Sequence, residues 1–509
     1  MFILMVVVFV LGYMMIALEH PLKLDKAASA LLIGSLTWAI YALNSVDILA
    51  LGNSATWNAL VNGYTMSADQ TADLANHFVK HELGHHLTEI SEILFFLLGA
   101  MTIVETVDHH QGFKLITDKI KTKNKAKLLW ILGFLTFFMS AALDNLTTTI
   151  VMVTLLKKLV DDKQTRWFFA AMIVIAANAG GAWSPIGDVT TIMLWIGGQI
   201  TAANVILMVF IPSLVAMVVP LAITSFTMKG DVKTPDNAGG AKTFTTPSEQ
   251  LLFLIVGVGA LLFVPIFKTV THLPPYLGML LGLSIIWALS EFKNKKRDEE
   301  AKSHLMVSNI LKKVDIPTVL FFLGILSAVS SLQSAGHLSL MSKWLDEVTN
   351  QNIYLIDTVI GILSSIVDNV PLVAGTMGMY EIAHAGTFAS DGVFWELLAY
   401  TAGTGGSILI IGSAAGVAAM GMEKIDFIWY MKKVSLLALI GYFAGIGTYY
   451  VQEMLVGADE EVEEVRHELV VPDKVIEVSP SDHIHLDSKM YIKIRKAHHA
   501  EEASEEAGE

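Results

Sequence analysis

The chain contains no cysteine, which removes disulfides, thiolate metal centres and cysteine nucleophiles together. It is also poor in charge: Asp, Glu, Lys and Arg make up 16% of 509 residues, against 53% hydrophobic, far too apolar a balance for an ordinary soluble enzyme of this size. No glycine-rich stretch carries the Lys-Ser/Thr of a phosphate loop, so ATP-driven work has no support. The net charge of -14 argues against nucleic acid as a partner, and much of the excess acid lies after residue 456. Residues 2–18 lack the basic flank and small-residue cleavage site of a signal peptide and read as a retained span. What remains is a multi-pass protein whose main partner is the lipid bilayer.

Apolar runs long enough for about 20 residues per crossing occur at 2–18, 27–43, 89–106 and 203–227, then at 251–267, 275–291, 315–333 and 427–451. Between them lie runs broken by polar residues. The stretch 128–160 is interrupted by Asp144-Asn145, and a later run by Asp368-Asn369; arms of about 15 residues are short for a full span and predict re-entrant hairpins with the acid at the tip. Glycines and a proline interrupt 166–198 between Asn178 and Asp188, and Gly403–Ser407 interrupts the corresponding later run, which predicts broken helices. Phe95/Phe321, Asp144/Asp368, Gly180/Gly405 and Gly187/Gly412 are separated by 224 to 226 residues, the mark of internal duplication.

The fold expected is therefore an all-α polytopic membrane protein of two inverted repeats, each with five membrane crossings, a re-entrant helical hairpin and a broken helix. Residues 1–228 form the first repeat, with 44–88 as an external loop insertion; 229–250 is a cytoplasmic linker, 251–452 the second repeat and 453–509 an acidic flexible tail. An odd number of crossings per repeat inverts the second copy. Placing the N-terminus outside leaves Lys80, Lys268 and Lys343 as the outer-loop lysines before the tail and puts the many others inside, as the positive-inside rule requires.

A carboxylate at bilayer depth costs roughly 2.5 to 3.5 kcal/mol even on mild scales, so it is seldom kept without a task. Hairpin tips arriving from opposite faces bring Asp144 and Asp368 together near the midplane, where broken-helix ends favour ions. Desolvation favours the protonated form of a carboxyl, so a proton and a hard cation held by oxygen ligands would compete for these acids. Asn145, Asn369, Asn178, Thr147, Thr404 and Ser407 offer neutral oxygens. Asp188 is either a second titrating group or the N-cap of the helix after it. Ser140 and Ser364, four residues before each tip acid, either line the site or pack helices. Glu92 is deep enough to belong to a proton path.

His81-Glu82-Leu83-Gly84-His85 fits the H-E-x-x-H zinc pattern. A five-residue pattern in an expected external loop is a weak signal, and a membrane zinc peptidase built on His81, Glu82 and His85 would leave the duplicated Asp-Asn tips without a purpose.

Leu143-Asp144-Asn145, the stretch from Ala177-Asn178 through Asp188 to Thr190-Thr191, Val367-Asp368-Asn369-Val370-Pro371 and Gly403–Ser407 resemble the NhaD-type sodium/proton antiporters of the ion transporter superfamily, over residues 1–452. The resemblance implies exchange of Na⁺ or Li⁺ for H⁺ in a bacterial inner membrane by an elevator or other alternating-access movement of a transport domain, often in a homodimer. No cofactor beyond the transported ions is implied. It assigns the site to Asp144, Asp368, Asn369, Asn178, Asp188, Thr190, Thr191, Ser364, Thr404 and Ser407, with Glu92 and His86 in support. The superfamily's anion carriers use Ser-Asn-Thr at comparable tips, so an arsenite or dicarboxylate carrier is the alternative that Asp-Asn disfavours.

Overall fold

A computed structural model describes residues 1–17, 19–62, 67–117, 119–120, 122–233 and 244–468. Part of the expected linker, and the tail from residue 469 on, lie outside the described residues. Helices dominate: α1 Phe2–Ala17, α2 Lys26–Leu43, α3 Ala68–His109, α4 Lys125–Leu143, α5 Asn145–Leu159, α6 Lys163–Ala182, α7 Val189–Ile196 and α8 Ala202–Thr227. There follow α9 Pro247–Thr271, α10 Pro275–Asn294, α11 Ile316–Ser334, α12 Ile353–Leu363, α13 Asn369–Met379, α14 Val393–Gly405, α15 Ala414–Glu423, α16 Phe427–Lys433 and α17 Ser435–Glu468. Among the described residues seven helices (α2, α3, α4, α8, α9, α10 and α11) are long and apolar enough to cross a membrane, and α16 with the first part of α17, bent by 52°, would make an eighth. The chain is a polytopic all-α membrane protein.

The segment 44–88, expected as a loop, is largely helical: Ser45–Leu49 and Ala55–Val61 are short helices, and α3 begins at Ala68. Ser67 starts it with a capping box, its hydroxyl accepting from the Gln70 N–H while its own N–H donates to the Gln70 side chain, so two otherwise unpaired donors are satisfied at once. Polarity here marks a partly solvent-facing helix rather than a loop. Its inner side is apolar: Ala75, Phe78 and Val79 pack with Trp57, Trp38 and Tyr41 in a satellite core. At 42 residues α3 is about 63 Å long, twice a hydrocarbon layer of about 30 Å, and its polar N-terminal half stands beyond the apolar part.

Helices cross where glycine lets backbones touch. A methyl on Gly34 of α2 would meet the Gly324 carbonyl of α11 at 2.6 Å. Each broken helix crosses its hairpin in the same way: a methyl on Gly180 would lie 2.2 Å from the Phe137 carbonyl, and one on Gly405 2.0 Å from the Gly361 carbonyl. The two crossings are offset by 225 and 224 residues. One hydrogen bond recurs at the same spacing, Ser140 Oγ donating to the Ala177 carbonyl at 2.6 Å and Ser364 Oγ to the Ala402 carbonyl at 2.9 Å.

Candidate functional site

Four chain breaks converge inside the helical bundle, and each begins a new helix with a polar cap. At the first hairpin α4 stops and α5 starts within one residue, Asp144, whose φ of 117° is strained for a side chain with a Cβ. Its carboxylate accepts from the Thr147 N–H at 2.8 Å and the Thr147 hydroxyl at 2.7 Å, holding the turn closed. At the second hairpin Asp368 caps α13, accepting from the Val370 N–H at 3.4 Å. Asp188 caps α7 with Thr191 in a reciprocal box, and Ser413 caps α15, 225 residues after Asp188.

The carboxylate shared by both tips is Asp188. Asn145, next to the first tip acid, donates its amide to Asp188 Oδ2 at 2.6 Å, and Asn369, next to the second, donates to Asp188 Oδ1 and Oδ2 at 3.4 and 3.3 Å. The Thr190 N–H adds a third donor at 3.1 Å. Asp188 is 1% exposed, and both Asp144 and Asp368 lie within its electrostatic reach. The two sequence readings of Asp188 therefore hold together: it caps α7 and is also the acceptor on which two hairpins meet. The network extends through Asn178, which accepts from Asn145 at 3.1 Å and donates to Ser407 Oγ and Ser413 Oγ, both at 2.9 Å. The Tyr430 hydroxyl then donates to the Ser407 carbonyl at 2.8 Å.

Asp368 has partners that the sequence does not announce. Its N–H donates to the Tyr13 hydroxyl at 3.1 Å, and Lys26 Nζ lies 3.9 Å from its carboxylate, both side chains less than a quarter exposed. The same ammonium sits 4.5 Å from the centre of the Phe321 ring. A fixed cation thus borders a cluster of three carboxylates built on oxygen and amide donors. Hard cations favour such oxygen-rich, imidazole-free surroundings.

Other expected site residues are elsewhere. Ser140 and Ser364 spend their hydroxyls on the helix-crossing bonds given above. The Thr404 hydroxyl turns back to the Tyr400 carbonyl at 2.6 Å, and that of Thr191 to the Asp188 carbonyl at 2.9 Å. Ser140→Ala should therefore cost about 1 kcal/mol of stability, the worth of one buried hydrogen bond, and lower the melting temperature in detergent while exchange stays within twofold. Glu92 and His86 line a cavity of about 350 Å³. Its wall also includes Met193, Gln199, Ala374 and Met377, from or just beyond the C-terminal parts of α7 and α13, the helices that Asp188 and Asp368 cap. His81, Glu82 and His85 lie on the continuous helix α3 rather than in a loop.

Paired hairpins and broken helices closing on buried acids define an ion transporter rather than an enzyme. Comparison with known proteins gives the family. A family model described as "Citrate transporter" (CitMHS) matches residues 13–405. Sodium/proton antiporters 1 and 2 of Arabidopsis thaliana are 47% and 46% identical to this chain over 448 and 449 residues, covering 87% of it in each case and 71% and 98% of the relatives. The Na(+)/H(+) antiporter NhaD of Vibrio cholerae is 30% identical over 467 residues, 86% of this chain and 89% of that protein. The chain belongs to the NhaD-type sodium/proton antiporter family.

Proposed function

We propose that this protein is a secondary antiporter exchanging Na⁺ or Li⁺ for H⁺, with cation and proton competing for Asp144, Asp188 and Asp368. The observation that carries the reading is the bonding of both tip amides, Asn145 and Asn369, to one buried carboxylate, Asp188. A site assembled from two hairpins and a broken helix must change whenever one of these elements moves, which suits alternating access. A bound cation would displace the amide N–H donors and the proton, so loading by one ion unloads the other. The antiporter names of the relatives support the same ion pair. We take the chain to be two inverted repeats with the N-terminus outside, on the strength of the lysine distribution, and to work as an elevator-type homodimer in a bacterial inner membrane, as its resemblance implies.

The family description "Citrate transporter" favours a second reading, an anion carrier. Three acids around the centre oppose it, since an anionic substrate would be repelled. In proteoliposomes with an acidic interior, external Na⁺ should dissipate the pH gradient; gradients untouched by every monovalent cation, with labelled citrate taken up instead, would favour the anion carrier. Lys26 supplies a finer test. Its charge 3.9 Å from Asp368 opposes a second cation by about 1 kcal/mol or more. Lys26→Gln should accordingly lower the apparent KM for Na⁺ by about fivefold; an unchanged or higher KM would remove Lys26 from the site.

A further inference from the structure

The zinc-like motif noted in the sequence is not the set of groups that the structure assembles. One residue further along α3, His85, His86 and Glu89 bring one ligand atom each to within 4.8 Å of one another. Glu89 spans the two rings: Oε1 lies 3.7 Å from His85 Nδ1, and Oε2 lies 3.2 Å from His86 Nδ1. Ligands bound at 2.0–2.2 Å in a tetrahedron stand about 3.4 Å apart, so the three atoms sit close to the spacing that a small ion demands, with side-chain adjustments of a few tenths of an ångström. The far nitrogen of His86, Nε2, faces Glu82 Oε2 at 3.8 Å. A carboxylate behind a ligating imidazole fixes its tautomer and raises its basicity. His85 and Glu89 are about half exposed, which gives an ion entry from solvent, while His86 is 8% exposed and anchors the set to the protein.

We propose that His85, His86 and Glu89 form a binding site for a divalent transition-metal ion of the Zn²⁺ class, and that its occupancy slows transport. Two imidazoles and one carboxylate with an open position suit Zn²⁺, Co²⁺ or Ni²⁺, not Ca²⁺ or Mg²⁺. The site is separate from the cluster around Asp188 but not remote from its surroundings. His86 and Glu89 both belong to the wall of the 350 Å³ cavity that reaches α7 and α13. An ion there ties two wall residues to a third on the outer surface of α3 and adds positive charge at the mouth, opposing the entry of another cation. The effect on transport rests on the antiport reading; the binding does not.

The full-length protein, purified in detergent and stripped with EDTA, should take up one Zn²⁺ per chain by calorimetry, and Co²⁺ should show the visible absorption of a nitrogen-oxygen site. Glu89→Gln and His85→Ala should each weaken Zn²⁺ binding by about tenfold or more, with melting temperatures of the metal-free proteins unchanged because both side chains are exposed. His272→Ala, at the C-cap of α9, should bind as the parent does. In proteoliposomes micromolar Zn²⁺ should slow Na⁺-driven exchange by the parent and spare His85→Ala, which keeps its basal rate. Absence of saturable binding, or equal binding by both variants, overturns the site; binding without inhibition overturns its effect on transport. If no exchange occurs at all, the antiport reading fails while the calorimetry still decides the metal site.

Discussion

Asp188→Asn should reduce Na⁺-driven exchange by at least about 100-fold, a loss of roughly 2.7 kcal/mol in the free-energy terms of the transport step, while leaving the protein folded. The substitution keeps the volume and one carbonyl oxygen able to accept from Asn145, Asn369 and the Thr190 N–H. What it removes is the charge and the capacity to exchange a proton. Since Asp188 is the acceptor common to both hairpins, neither Asp144 nor Asp368 can replace it: the first is bound by Thr147 and the second is paired with Lys26. Dissipation of a pH gradient in proteoliposomes measures the rate, and a detergent melting curve reports the fold. Exchange at more than half the parent rate would show that Asp188 is a cap and nothing more. Asp368→Asn should likewise abolish exchange, whereas Ser140→Ala should not.

The largest structural effect is expected at the paired crossings. Gly405→Ala would place a methyl 2.0 Å from the Gly361 carbonyl, and Gly180→Ala one 2.2 Å from the Phe137 carbonyl. Backbone atoms cannot rotate aside as a side chain can, so α14 must part from α12, or α6 from α4, and the helices that present Asn145, Asn178 and Asn369 part with them. Overpacking of this kind costs about 1–3 kcal/mol or more. Both variants should melt well below the parent, by size-exclusion stability in detergent, and lose exchange. Gly447→Ala is the control: it lies in α17 with open space around it, and the gain in helix propensity should leave the protein as stable or slightly more so. Equal melting temperatures for Gly405→Ala and Gly447→Ala would refute the close crossing.

Much of this arrangement was legible because bilayer depth makes polar residues conspicuous. Asp144-Asn145 and Asp368-Asn369 stood out against apolar runs, and the helix breaks predicted there fall at those residues. The interruptions from Asn178 to Asp188 and after Gly403 are also real breaks, between α6 and α7 and between α14 and α15. The 225-residue spacing, read from scattered landmarks, reappears as matching contacts: Ser140 with Ala177, Ser364 with Ala402.

What escaped the sequence was the identity of the centre. The two acids were the conspicuous residues, yet it is their asparagine neighbours that meet on Asp188, because a helix N-cap turns its own carboxylate toward the helix it begins and frees the next side chain to reach across. Ser413 could have been found, since it stands at the duplicated position of Asp188. Lys26 and Tyr13 could not: their approach to Asp368 joins residues more than 340 apart, and no local pattern encodes it. The polar N-terminal half of α3 misled for a different reason. Charge and histidine suggested a loop, but the Ser67-Gln70 box and partners four residues apart, Glu82 with His86 and His85 with Glu89, suit a solvated helix equally well.

The central claim is that one metal ion and one proton compete for the Asp188 cluster. Equilibrium binding of ²²Na⁺ to the purified protein, measured across pH, tests it without any assumption about movement. Binding should weaken by about tenfold for each unit of pH on the acid limb, as single-proton competition requires, and should vanish in Asp188→Asn. Na⁺ binding that is independent of pH, or that survives intact in Asp188→Asn, would contradict the account.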